Sequence, residues 1–268
     1  MVVFGCTLNE LAVLHYKPIP SFLEKCFAFL LKNGIDKEGI FRISGDIVEL
    51  KNLQTKIDAT NDIDLSDSTN PFVVANIITR FFRFIPGHVL IDTRADEWMN
   101  VRTADDAKRL FNLLPLINRA VLSRFMAFLT IVKNHSDRNR MGSQALSVVV
   151  SPNLIEKPGS PEFLLPNEVV MIMIDNYDNV FDSMPALNPS GEFQSDEEFS
   201  SSIGNVCMEF FCKSSPVSMK LKPIDEEKQC RLDRNIHINK PNYNDTFQEL
   251  LAFPSKTAKA SSHQPIVV

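Results

Sequence analysis

The chain has 268 residues, with 28 Lys and Arg against 33 Asp and Glu and a formal net charge of -5. An acidic balance argues against nucleic acid as the main partner, because phosphate binding needs a basic surface. Five cysteines with no C-x-x-C argue against a disulfide framework, and no stretch reaches the ~18 apolar residues of a membrane span. The start, Met1-Val-Val-Phe-Gly-Cys-Thr, lacks the basic segment and apolar core of a signal peptide. These features together predict a cytoplasmic protein with no transmembrane segment.

Helical periodicity dominates the first 185 residues. Pro20 to Asn33 carries Phe22, Cys26, Phe29 and Leu30 at helical spacing, with Gly34 as a stop. Asp46 can cap a helix that aligns Val48, Leu50, Leu53 and Ile57. Asn70-Pro71 is an N-cap followed by a first-turn proline, and the apolar run Val73 to Phe84 ends before Pro86. Thr103 or Asp105 opens a helix through Leu110 and Leu114. Ile117, Val121, Phe125, Phe128 and Val132 extend over about four turns. Ser143 can cap a segment through Val150, and Asn167 to Phe181 places Val170, Met173, Ile174, Tyr177, Val180 and Phe181 on one stripe. Only Val148-Val149-Val150 reads as β-like, and it is short. The expected fold is all-α: a bundle of about seven to nine helices over residues 1–185.

After Pro185 the periodicity fades. Residues 186–268 are rich in serine, acidic residues, proline and lysine, and read as a mostly disordered low-complexity tail. Within it, Ser195 precedes Asp196-Glu197-Glu198, a pattern suited to an acidic-directed kinase. Asp245 to Phe253 carries Phe247, Leu250, Leu251 and Phe253, enough for an amphipathic turn or two. Cys207, Cys212, Cys230 and His237 form the one conceivable metal cluster, but their irregular spacing argues for no metal site.

The block Glu38-Gly39-Ile40-Phe41-Arg42-Ile43-Ser44-Gly45 lies between two predicted helices. Its apolar residues can anchor a loop and its glycines permit tight turns. Arg42 then either projects from a rigid base, where its guanidinium matches phosphate oxygens, or pairs with a carboxylate or caps helix carbonyls. The residues alone leave both roles open. No G-x-x-x-x-G-K-[ST] loop is present, so the chain is not itself a GTPase, and no H-E-x-x-H or G-x-S-x-G occurs.

This block resembles the arginine-finger loop of RhoGAP domains, E-G-I-[FY]-R-[VI]-S-G. Val73-Val74-Ala75-Asn76-Ile77-Ile78-Thr79-Arg80-Phe81-Phe82-Arg83-Phe84-Ile85-Pro86 resembles the family's V-V-A-x-L-L-K-x-F-L-R-E-L-P. Leu146-Ser147-Val148-Val149-Val150-Ser151-Pro152-Asn153-Leu154-Ile155 is similar to N-L-A-x-V-F-G-P-N-L, and Phe4-Gly5-Cys6-Thr7-Leu8 to F-G-x-x-L. The resemblance covers roughly residues 4 to 182. It implies an activator of a GTP-bound Rho, Rac or Cdc42-type small GTPase. Arg42 would be the catalytic arginine supplied in trans, with Gly39, Ser44, Gly45 and Arg83 supporting its loop. Asn153 would touch the GTPase or end its helix. Such a protein needs no cofactor of its own, because GTP and Mg²⁺ sit in the partner. It would act as a monomer, with peripheral membrane contact through its partner.

The departures fall on the docking side. The family lysine of the second block is Thr79 here, and the neighbouring Arg80 points about 100° away on a helix. L-P-E-P-L reads Ile85-Pro86-Gly87-His88-Val89, and the third block carries Ala145 and Ser151 at its asparagine and glycine positions. Thr79 and Arg80 are therefore the residues to examine for GTPase binding. The alternative function is a weakly active or inactive module that binds a small GTPase as an adaptor. Lys133 to Arg140 reads as a basic loop, either a solvated turn or a patch for the GTPase or an anionic membrane.

Overall fold

A computed structural model describes residues 2–15, 17–160 and 163–184. All belong to the first of the two units into which the chain divides, Met1–Pro216. The tail expected over residues 186–268, with Ser195, the four metal candidates and the Asp245–Phe253 segment, lies outside the described residues.

Among the described residues eleven α-helical segments run in chain order: α1 (Leu8–His15), α2 (Ser21–Asn33), α3 (Ile47–Thr60), α4 (Pro71–Phe84), α5 (Ala95–Met99), α6 (Ala104–Asn112), α7 (Leu116–Asn134), α8 (Ser136–Asn139), α9 (Ser143–Val150), α10 (Asn167–Asp175) and α11 (Tyr177–Val180). Two short 3-10 helices, Asp92–Arg94 and Ser151–Asn153, complete the set, and no strand occurs among the described residues. The bundle is all-α as expected. The count exceeds seven to nine because α5, α8 and α11 are single turns too short to show a period.

The caps explain most boundaries. Asp46 accepts hydrogen bonds from the backbone N–H groups of Val48 and Glu49 at 2.8 and 2.9 Å. Asn70 accepts from Phe72 at 3.0 Å, with Pro71 in the first turn. Thr103 and Asp106 form a reciprocal capping box at the start of α6. Such caps stabilise a helix by ~1 kcal/mol each. Two boundaries differ from the sequence reading. Gly142, not Ser143, occupies the N-cap of α9 and makes no side-chain cap. The stripe from Asn167 to Phe181 breaks at Asn176, whose N–H bonds back to Ile172, so one expected helix is two.

α7 is the central helix. Twelve of its nineteen residues are buried, which requires neighbours around most of its circumference. Arg124 is among them. Its guanidinium meets the Glu24 carboxylate of α2 through Nε at 2.8 and 3.0 Å and Nη2 at 2.6 Å. Pairing and hydrogen bonding make the burial of that charge tolerable.

The abundance of phenylalanine has a structural use. A chain of ring contacts runs Phe4–Phe22–Phe81–Phe82–Phe125–Phe27–Phe128–Phe41, with centroids 4.3 to 6.1 Å apart. It links the N-terminal turn, α2, α4 and α7 and ends beneath the loop that carries Arg42. Offset and edge-on ring pairs contribute ~0.5–1.5 kcal/mol each beyond the area they bury.

Candidate functional site

The loop between α2 and α3 is built to raise one side chain. Ile40 and Phe41 are buried, Phe41 against Phe128 of α7, while Arg42, Ile43 and Ser44 are exposed. Gly39 turns the chain at φ +74, and its carbonyl accepts from the N–H groups of Arg42 (2.9 Å) and Ile43 (2.8 Å). Phe41 itself sits at φ +69, a conformation that costs a non-glycine residue about 1–3 kcal/mol and persists only where surroundings over-determine it. Here the determinant is burial of the Phe41 ring. Among the described residues the Arg42 guanidinium has no hydrogen-bond or ion-pair partner. Its Nη2 lies close over Gly39, 3.4 Å from where a Cβ would stand.

Each end of the loop is tied to a different helix by an asparagine. The Gly39 N–H donates to the backbone carbonyl of Asn139 at 2.8 Å. Asn139 is fully buried: its amide nitrogen donates to the carbonyls of Ile35 and Val132, both at 2.8 Å, and its Oδ1 accepts from Met141 N–H at 2.7 Å. At the other end the Gly45 N–H donates to Oδ1 of Asn76 on α4 at 2.7 Å. Gly45 presses on the start of α4 so closely that a Cβ would fall 2.6 Å from the Val73 nitrogen.

The expected supporting roles of Ser44 and Arg83 are not found. Both side chains are exposed and make no hydrogen bond among the described residues. The support comes from Asn76 and Asn139, which the sequence reading passed over. One signal pointed to Asn76. In the apolar run Val73–Phe84 the polar residues Asn76, Thr79, Arg80 and Arg83 recur at three- and four-residue spacing, the mark of one exposed helical face.

α4, which carries the second motif block, is the common neighbour of the other two: the Arg42 loop leans on its first turn, and the 3-10 helix Ser151–Asn153 packs on it as well. Thr79 is half-buried, and its hydroxyl donates to the Asn76 carbonyl at 3.1 Å. Arg80 is drawn toward α3, its Nε donating to Oε1 of Gln54 at 2.6 Å and its guanidinium 4.8 Å from the Phe84 ring centroid. The Asn153 amide donates to the Val149 carbonyl at 2.8 Å and so closes the end of α9. Exposed apolar side chains flank Arg42: Ile43 at 46%, Ile47 at 56% and Val48 at 61% exposure.

Two stretches behave differently from their sequence pattern. Lys133 to Arg140 is the end of α7 plus α8, not a loop, and much of its charge is paired internally. Lys133 bonds to Asp175, and His135 and Arg138 both bond to Asp36 at 2.9 Å. In the altered stretch Pro86–Val89, His88 is buried with its Nδ1 2.9 Å from Asp92, whose carboxylate accepts the Glu156 N–H at 2.8 Å. A side-chain relay thus joins this turn to the segment just beyond Asn153. Among the described residues no group of His, Cys, Asp and Glu could hold a metal, and no helix is long and apolar enough to cross a membrane.

The fold is an all-α bundle that presents an arginine loop tied at both ends, and comparison with known proteins names its class. The model of the RhoGAP domain matches residues 20–159. The chain belongs to the RhoGAP domain family. It is 30% identical over 195 residues to Rho GTPase-activating protein gacY of Dictyostelium discoideum, covering 67% of this chain and 27% of that protein. With Rho GTPase-activating protein 27 of Homo sapiens it is 27% identical over 194 residues, covering 67% and 22%. The chain therefore spans about a quarter of the length of these relatives. Among solved structures, human Rho GTPase activating protein 15 superposes with a TM-score of 0.62 at 22% identity, over 67% of this chain and 92% of that one. The BH domain from GRAF, the GTPase regulator associated with focal adhesion kinase, gives 0.55 at 20% identity, over 62% and 96%. These two likenesses concern the fold.

Proposed function

We propose that this chain accelerates GTP hydrolysis by a Rho-type small GTPase, and that Arg42 is the arginine inserted in trans. The observation that carries the reading is the exposure of an unpaired guanidinium on a loop whose two ends are tied. Hydrolysis builds charge across the β and γ phosphates, and a pre-positioned arginine neutralises it without reorganising at the moment of reaction. Such a finger accelerates hydrolysis by about 10³–10⁵, or about 4–7 kcal/mol of barrier. The exposed Ile43, Ile47 and Val48 supply apolar area for docking around it. The partner would be bound in its GTP form and would bring its own nucleotide and Mg²⁺. The protein would work as a cytoplasmic monomer.

A second reading, a binding module with weak or no catalysis, is favoured by one observation. The docking face of α4 offers no mobile cation at Thr79, and Arg80 is engaged by Gln54 and Phe84. Single-turnover GTP hydrolysis on a panel of Rho-family GTPases separates the two. Stimulation by the wild type that Arg42→Ala abolishes supports the first. Binding without stimulation supports the second and removes the first.

A further inference from the structure

We propose that Asn76 is a positioning residue for Arg42, a role that rests on the arginine-finger reading above. The two legs of the loop differ in how they are held. The upstream leg is fixed by Gly39, by burial of Ile40 and Phe41, and by the tie to Asn139. Downstream of Arg42, Ile43 and Ser44 are exposed, and the Ser44 side chain makes no bond among the described residues. Among the described residues, the one side-chain tie between Arg42 and the N-cap Asp46 is the 2.7 Å bond from Gly45 N–H to Asn76 Oδ1.

That bond matters because of what surrounds it. Gly45 already touches the Val73 backbone, so the approach of loop to helix has a fixed distance. Sterics set how close the loop comes, and the amide oxygen sets its rotation about that contact. Without an acceptor at 76, a half-buried N–H loses its partner and the leg can slide along α4 or lift from it. Arg42 lies three positions upstream, beside a residue at positive φ that only its environment holds there. Catalysis by an inserted arginine depends on aim, and a displacement near 1 Å can cost ~100-fold. The Asn76 amide oxygen is engaged by the loop's own backbone, so its effect should fall on the hydrolysis rate more than on docking.

The test uses the full chain and a GTPase that the wild type stimulates. Asn76→Ala removes the acceptor, while Asn76→Asp keeps an oxygen at the same reach. Saturating single-turnover rates and half-saturating concentrations are measured for both, with amide hydrogen exchange of residues 39–46. The expected result is a fall of roughly 10-fold in the maximal rate for Asn76→Ala, with half-saturation shifted less than ~3-fold. Exchange at Gly45 should quicken, and Asn76→Asp should restore both rate and protection. Adding Asn76→Ala to Arg42→Ala should lower the residual rate no further. An unchanged rate in Asn76→Ala, or a loss confined to half-saturation, would overturn the positioning role while leaving the finger intact. If the wild type stimulates no GTPase, the finger reading fails and this role fails with it.

Discussion

Gly45 and Val73 meet with no room for a side chain between them: a Cβ on Gly45 would lie 2.6 Å from the Val73 nitrogen and 2.8 Å from its Cα. Because the obstacle is helix backbone, relief requires the loop to move. Gly45→Ala should therefore cost about 1–3 kcal/mol and displace Arg42. Urea unfolding should show the loss, and the GTPase assay should show a larger fall in stimulation than Ser44→Ala causes. Equal stimulation by Gly45→Ala and wild type would mean that loop and helix part more easily than this contact allows.

Gly39 makes a useful contrast. Its φ of +74 penalises any side chain, but the nearest obstacle to a Cβ is the flexible end of Ile43, at 2.7 Å. Gly39→Ala should cost ~1 kcal/mol, mainly from backbone conformation, and should disturb the finger less than Gly45→Ala. The order of the two variants in maximal hydrolysis rate checks this.

Asn139 holds three backbone groups at once, from Ile35, Val132 and Met141. Asn139→Ala leaves two carbonyls and one N–H in a buried site without that partner. At about 1–3 kcal/mol for each uncompensated group, less whatever water recovers, the loss should be at least 2 kcal/mol. Chemical denaturation measures it, and a loss below 1 kcal/mol would show that water replaces the amide.

The Glu24–Arg124 pair predicts a different failure. The Arg124 side chain is 4% exposed and that of Glu24 34%. Glu24→Ala strips carboxylate bonds from a buried guanidinium. Breaking a buried pair costs 3–5 kcal/mol, and the partial exposure of Glu24 reduces this to about 2–3 kcal/mol. Arg124→Met, which removes the charge itself, should cost less. Thermal unfolding of the two variants decides between them.

Stability should fall at both ends of the pH range. Hydrogen bonding from Thr103, and then from the Arg102 backbone, holds the Asp106 carboxyl below its usual 3.8. His135 and Arg138 do the same for Asp36, and Lys32 for Asp67. A lowered carboxyl pKa means that the folded state binds fewer protons than the unfolded chain. The associated stability is present above pH ~4 and is lost as pH falls through the lowered values. Asp106→Asn should flatten that acid limb. On the alkaline side, burial pushes Tyr177 up to about 12. Its contribution is full below pH ~10 and is lost as pH rises through 12, so Tyr177→Phe should flatten that limb. Unfolding midpoints across pH test both, and parallel curves for variant and wild type would count against the assignment.

What could be read from the sequence divides along chain distance. Asp46, Asn70-Pro71 and Thr103 mark helix starts because a cap is satisfied within three residues. The all-α fold followed from apolar spacing for the same reason. The break at Asn176 was hidden because Tyr177, Val180 and Phe181 continue the stripe on which Val170 and Met173 lie, and periodicity cannot report a single turn that unwinds. Arg42 was legible as a candidate from its apolar and glycine neighbours together with the family likeness. The asparagines that bond to its loop were not. The Asn76–Gly45 bond spans 31 positions and the Asn139–Ile35 bond 104, so no local pattern could select them over Ser44 and Arg83. His88 likewise gained meaning only once Asp92 and the segment at Glu156 were seen beside it.

The bonds that tie Gly39 and Gly45 run between neutral groups: two asparagines, glycine N–H groups and phenylalanine rings beneath. Dissolved ions shield charges but leave such contacts almost untouched. Attraction between charged groups, by contrast, weakens as ionic strength rises, and with it whatever part of docking charge carries. Salt thus becomes a way to separate the two halves of the proposed activity. Raising it should increase the concentration of protein needed for half-maximal stimulation while leaving the ceiling in place, since the finger's aim owes nothing to the ions around it.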